Sequence, residues 1–117
     1  MKKRKYGQVR PLSIEELSKT FDSLSYIKTA FLFGSRSQGT QTSKSDYDFA
    51  LELIPVNGAK WGMQAKAWMD ICDLLTLKEY DVDIVDLSLA DPHLKKEILD
   101  NYTLIKGNQN DISRLLR

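Results

Sequence analysis

The sequence predicts a mixed α/β (α+β) domain: a small mixed sheet flanked by helices. Three observations carry that reading. Apolar residues recur at helical spacing in some windows and crowd into short β-branched or aromatic runs in others, and the two kinds of window interleave along the chain. Turn-forming Gly, Pro, Asn and Asp fall between them. A length of 117 residues is enough for one modest core but not for two.

The elements follow in order. A basic tail, residues 1–12, precedes a domain over 13–117. Ser13 caps a first helix, and Glu16 three residues later completes a capping-box pattern. Ile14, Leu17, Phe21 and Leu24 then recur at helical spacing. The run "YIKTAFLF" (26–33) is short, aromatic and β-branched, stops at Gly34, and reads as a strand. A second strand spans about 45–54 and ends at Pro55. Asn57-Gly58 marks a turn. From Trp61 to Leu77 the pattern is helical: Ala65, Trp68, Met69, Cys72 and Leu75 form a stripe that Ile71 and Leu74 widen, with Trp68, Met69 and Cys72 read as core.

"YDVDIVDL" (80–87) is the third strand. Asp91 caps the next helix and Pro92 occupies its first position. "YTLIKG" (102–107) is the fourth strand, and "DISRLLR" forms a last short helix.

Bulk composition narrows the function classes. Hydrophobic residues are 42% and charged residues 28%, as in ordinary globular domains. No apolar run approaches the ~20 residues that span a bilayer. The basic N-terminus lacks the apolar segment of a secretory signal, so the cytoplasm is the expected compartment. The single cysteine, Cys72, excludes an internal disulfide and a cysteine-rich zinc site. The sole histidine, His93, sits at a helix start with no visible partner and reads as a surface residue. Lys2, Lys3, Arg4, Lys5 and Arg10 make the tail basic and leave the rest of the chain net negative. With Tyr6 the only aromatic among them, direct nucleic-acid binding is not expected.

The chemistry concentrates in "GSRSQGTQTSKSDYDFALEL" (34–53). Side chains alternate along a strand, so Tyr47, Phe49, Leu51 and Leu53 make an apolar face while Asp46, Asp48, Ala50 and Glu52 point the other way. Asp46 and Asp48 then lie roughly 7 Å apart, from a rise of about 3.3 Å per residue. Aspartates repel at that distance and are depleted from strands, so something must offset the cost; one or two divalent cations would. The third strand puts Asp81, Asp83 and Val85 on one face. If it pairs beside the second, Asp83 joins Asp46 and Asp48, a hard-oxygen set suited to Mg²⁺. Two such ions would form the clamp used for in-line phosphoryl and nucleotidyl displacement. Upstream, Gly34 lets backbone approach a phosphate, Ser35 adds a hydroxyl and N–H donors, and Arg36 can reach a phosphate. Gly39 permits the next turn.

The order strand, Gly-Ser, ten residues, Asp-x-Asp, strand, then a later strand with an isolated aspartate resembles the signature of the DNA polymerase β-like nucleotidyltransferase superfamily, over about residues 14–107. At this length the chain resembles the minimal nucleotidyltransferases (MNT), the usual antitoxin partners of HEPN-domain toxins. The resemblance implies the polymerase β-like fold. It implies that Gly34 and Ser35 hold a nucleoside triphosphate, with Arg36 beside them. Asp46, Asp48 and Asp83 would bind metal, two Mg²⁺ ions, and do the catalysis. The implied reaction moves AMP from ATP to a tyrosine of the cognate HEPN toxin, an RNase, and silences it. Ser37, where many members have alanine, and Asn101-Tyr102, where relatives often have glycine, depart from the pattern without touching the chemistry. A competing reading is an antitoxin that binds and occludes the toxin without catalysis. A third, transfer to a small antibiotic, calls for an additional helical domain to shape the acceptor site.

Overall fold

The computed structural model describes residues 11–34 and 46–117. The elements run α1 (Ile14–Asp22), β1 (Ile27–Phe33), β2 (Tyr47–Leu53), α2 (Met63–Leu75), a 3₁₀ turn (Glu79–Asp81), β3 (Val82–Asp86), α3 (Pro92–Asp100), β4 (Tyr102–Lys106) and α4 (Gln109–Leu116). The order of helices and strands is the one the sequence predicts. The strands form one sheet in the order β3-β2-β1-β4. β1 is antiparallel to both β2 and β4, and β2 is parallel to β3, so the sheet is mixed.

Local chemistry sets the helix ends. The Glu16 N–H donates to Ser13 Oγ (3.1 Å) at the start of α1, and the Leu94 N–H donates to Asp91 Oδ1 (2.8 Å) at the start of α3, where Pro92 loses no helical hydrogen bond. α4 starts two residues earlier than "DISRLLR" suggests, because Asn108 and Asp111 make a capping box around its first turn.

The sheet is covered on both faces. One core joins Leu17 and Phe21 of α1, Ala67, Ile71, Cys72 and Leu75 of α2, and Tyr47, Phe49 and Leu51 of β2. Phe49 stacks on Tyr47 (5.9 Å between centroids) and meets Phe21 edge-on (5.1 Å), which anchors β2 from below. The other core joins Phe31, Ala50, Leu87, Ile98, Ile112 and Leu116 beneath α3 and α4. A register shift between Ile27 and Thr29 adds a residue to β1, so Ile27 and Ala30 both serve the first core while Phe31 serves the second.

Three expectations need correction. α2 begins at Met63 rather than Trp61 and ends at Leu75, where Thr76 turns left-handed. Its buried stripe is centred on Ala67, Ile71 and Leu75, so Met69 is 51% exposed instead of in the core; Trp68 packs against the core and Cys72 lies within it, as read. With Ala67, Ile71 and Leu75 turned to the sheet, Met69 and Leu74 face outward. The third strand starts at Val82, not Tyr80, because residues 79–81 close a 3₁₀ turn. Asp81 therefore does not join the acidic face. It is buried, and its Oδ2 accepts the Lys78 N–H (3.0 Å). His93 is exposed, as expected.

Asp81 is thus a turn-closing group set two residues before Asp83. Asp81→Ala should lower unfolding free energy by about 1–3 kcal/mol, the usual cost of stranding a buried donor. It should leave divalent-cation affinity unchanged in the folded fraction. Urea denaturation and calorimetry check the two halves.

Candidate active site

The parallel pairing of β2 with β3 makes Asp48 and Asp83 cross-strand neighbours, and Ala50 pairs with Val85 one step along the same face. Asp46 immediately precedes β2 and is exposed, as is Asp83. Asp48 is half-buried. The conditional expectation that strand three would bring Asp83 to the Asp-x-Asp pair is met by the pairing. Along this face β2 runs from a half-buried acid, Asp48, through Ala50 in the second core, to Glu52.

Glu52 is a built-in contrast. Arg114 of α4 grips it with two hydrogen bonds (2.6 and 2.8 Å), and the Thr29 hydroxyl donates to it (2.8 Å). Hydrogen bonding to Arg114 holds the Glu52 carboxyl below its ordinary range against the opposing effect of burial. Asp48 goes the other way. Burial first, then the charge of Asp83, then that of Asp46, push its carboxyl from 3.8 up to about 6. Two acids on one strand face are thus driven apart by their neighbours.

Gly34 closes the first strand with φ +75°, and an added Cβ there would overlap Asp48 Oδ2. Glycine suits this point because φ is left-handed and the Asp48 carboxylate lies where a side chain would start, a reason the sequence reading of phosphate approach did not supply. Ser35 and Arg36, with Gly39, lie outside the described residues, as does most of the basic tail.

Asp46, Asp48 and Asp83 carry the hard oxygen donors that a divalent cation takes. Among the described residues, the charged groups that shift Asp48 are the carboxylates of Asp83 and Asp46. Among the described residues no group of three His, Cys, Asp or Glu is placed to hold a metal ion. Concavities of about 200 Å³ and 260 Å³ lie along the outer side of α2, beside Trp68, Met69 and Trp61, and neither is lined by Asp46, Asp48 or Asp83. Asp46 and Asp48 lie at the start of β2, with Asp83 beside Asp48 on β3. No helix among the described residues is long and apolar enough to cross a membrane.

Known proteins resemble the chain in sequence and in fold. The family described as "Polymerase beta, Nucleotidyltransferase" matches residues 15–111. The chain is 33% identical over 92 residues to the protein adenylyltransferase MntA of Shewanella oneidensis, covering 77% of this chain and 61% of that relative. The aligned stretch therefore spans less than two thirds of MntA. A solved toxin–antitoxin structure with AMP-PNP superposes with a TM-score of 0.64 at 30% identity, over 90% of this chain and 82% of that one. A mutant of the toxin–antitoxin pair MntA–HpeT superposes equally well, with a TM-score of 0.64 at 28% identity, over 90% and 82% of the two chains.

The raised Asp48 pKa has a signed consequence. Between about pH 4 and pH 6 the folded protein holds a proton that the unfolded chain releases, so stability falls as pH rises through that window and the penalty is complete above about pH 6. Because the group is half-exposed, screening reduces the penalty to about 1 kcal/mol. Asp48→Asn should therefore raise the melting temperature of the metal-free protein above about pH 6 and leave it little changed near pH 4. Thermal denaturation across that range reads both.

Proposed function

Because the chain belongs to the polymerase beta nucleotidyltransferase family, we propose that it transfers AMP from ATP to a tyrosine of a cognate HEPN-domain toxin and so neutralises it. The observation that carries the reading is the cross-strand pair Asp48–Asp83, closed at one side by Gly34 and preceded by Asp46. The name of MntA as a protein adenylyltransferase, and the AMP-PNP bound in a related toxin–antitoxin structure, support the choice of reaction and of nucleotide.

Each residue has a part. Gly34 and Ser35 would hold the triphosphate, with Arg36 offering a further phosphate contact. Asp46, Asp48 and Asp83 would hold two Mg²⁺ ions. When bound, these supply charge neutralisation and acidify the attacking hydroxyl. A tyrosine hydroxyl has a pKa near 10, so it needs that help at neutral pH. Its oxygen forms a bond to the α-phosphorus, the bond to the bridging oxygen breaks, and pyrophosphate leaves. Asp83, exposed on β3, takes the phenolic proton. The solved relatives, described as toxin–antitoxin structures, one with a tri-AMPylated HEPN toxin, support a protein acceptor. AMP on the toxin would add charge and bulk where RNA must enter.

The cytoplasm, where ATP and such a toxin meet, is the compartment this reading implies.

Incubation of the protein with its toxin, ATP and Mg²⁺ should add the mass of AMP to a toxin tyrosine. Asp83→Asn should abolish that increase, retain complex formation and fail to protect cells. Full protection by a variant with Asp46, Asp48 and Asp83 all changed to asparagine, with the toxin recovered unmodified, would show neutralisation by occlusion instead.

A further inference from the structure

The contact between Gly34 and Asp48 carries more than a turn. β1 and β2 are antiparallel, with Phe33 opposite Asp48, so Gly34 sits just past the end of the ladder where the Asp48 side chain leans across. A Cβ built on Gly34 would overlap Asp48 Oδ2 and lie 3.2 Å from its Cγ and 3.5 Å from its Cβ. The left-handed φ of +75° aims that missing Cβ at the carboxylate. Two separate constraints therefore meet at one residue. The backbone angle alone would tolerate asparagine, which visits this region with modest strain. The overlap adds a second demand: with β2 held by Tyr47 and Phe49 in the core, a Cβ at 34 is accommodated by turning the Asp48 carboxylate away rather than by moving its strand.

We propose that Gly34 is a positioning residue for Asp48: the absence of a side chain at 34 is what lets the Asp48 carboxylate lie in line with Asp83 across the β2–β3 pair. Any residue with a Cβ drives the carboxylate off Gly34. Mg²⁺ tolerates little departure from octahedral geometry, so a small displacement of one ligand is felt as lost affinity. This goes beyond a phosphate contact at Gly34. A glycine needed only for phosphate approach would affect nucleotide binding, would leave metal binding intact, and would be indifferent to the residue at 48. The inference uses the metal-binding reading given above in its second test alone.

The first test needs no metal. Melting temperatures are measured for the wild type, Gly34→Ala, Asp48→Ala and the double variant. Gly34→Ala is expected to lower the melting temperature in the Asp48 protein and to lower it clearly less in the Asp48→Ala background, because removing the carboxylate makes room for the new methyl group. Equal losses in the two backgrounds overturn the proposal. If Gly34→Ala does not fold, recovery of a folded double variant supports the proposal, and failure of both overturns it. The second test titrates Mn²⁺ by paramagnetic resonance. Gly34→Ala and Gly34→Asn should both weaken binding about 10–100-fold, the range seen when a group that orients a ligand is lost. Wild-type affinity in the asparagine variant would show that only the backbone angle matters and would also overturn it. A wild type that binds no Mn²⁺ overturns the metal reading itself, while the metal-free melting cycle still decides whether Gly34 seats Asp48.

Discussion

The parallel ladder between β2 and β3 is the constraint on which the site depends. It places Asp48 and Asp83 side by side, where their charges repel, and it cannot slip. A shift of one residue would move Tyr47, Phe49 and Leu51 out of one core and Ala50 out of the other. Both faces of β2 are thus committed to packing, and the two cores together hold an arrangement that the carboxylates alone would reject. Stability is invested in the middle of the strand and withdrawn at its end.

Glu52 shows that the same strand can satisfy an acid when nothing else is asked of it. Arg114 reaches from α4 to hold Glu52 and also pairs with Asp111 (2.6 Å), which in turn accepts the Asn108 N–H at the cap of α4. That network is exposed at Arg114 and contributes modestly to stability. Its value is in orienting α4 over the second core. Four residues earlier on the same face, Asp48 is answered by two more carboxylates. Among the described residues the strand thus pairs one acid with a guanidinium and sets the other beside like charges, the pattern that marks Asp48 as a candidate functional group.

Much of this was legible in the sequence because the signals are periodic. Alternation along 45–54 assigned the faces of β2, capping residues assigned the starts of α1 and α3, and the spacing from Gly34 to Asp46 and Asp48 marked the site. What escaped was three-dimensional. The apolar stripe read over 61–77 was wide enough to include Met69 and Leu74, and only packing against the sheet shows that Ala67, Ile71, Cys72 and Leu75 are the buried side. Asp81 looks the same as Asp83 in a strand of alternating acids, yet a 3₁₀ turn folds it inward to close its own backbone. Glu52 lay on the acidic face by alternation, but Arg114 is 62 residues away in sequence and no local pattern foretells the pair. The overlap at Gly34 likewise belongs to two strands at once.

The exposure of Asp46 and Asp83 has a consequence for how specificity could arise on the proposed reading. Groups that hold metal and phosphate are common to every acceptor. Exposed carboxylates distinguish acceptors poorly by themselves, since a bare hydroxyl offers little to grip. Selection must then come from surface beyond the reacting atoms, where a protein acceptor has far more area to offer than a metabolite. Binding energy gained there would position the tyrosine at the α-phosphorus. On that reading the docking surface, and not the carboxylates, would set which acceptor is used.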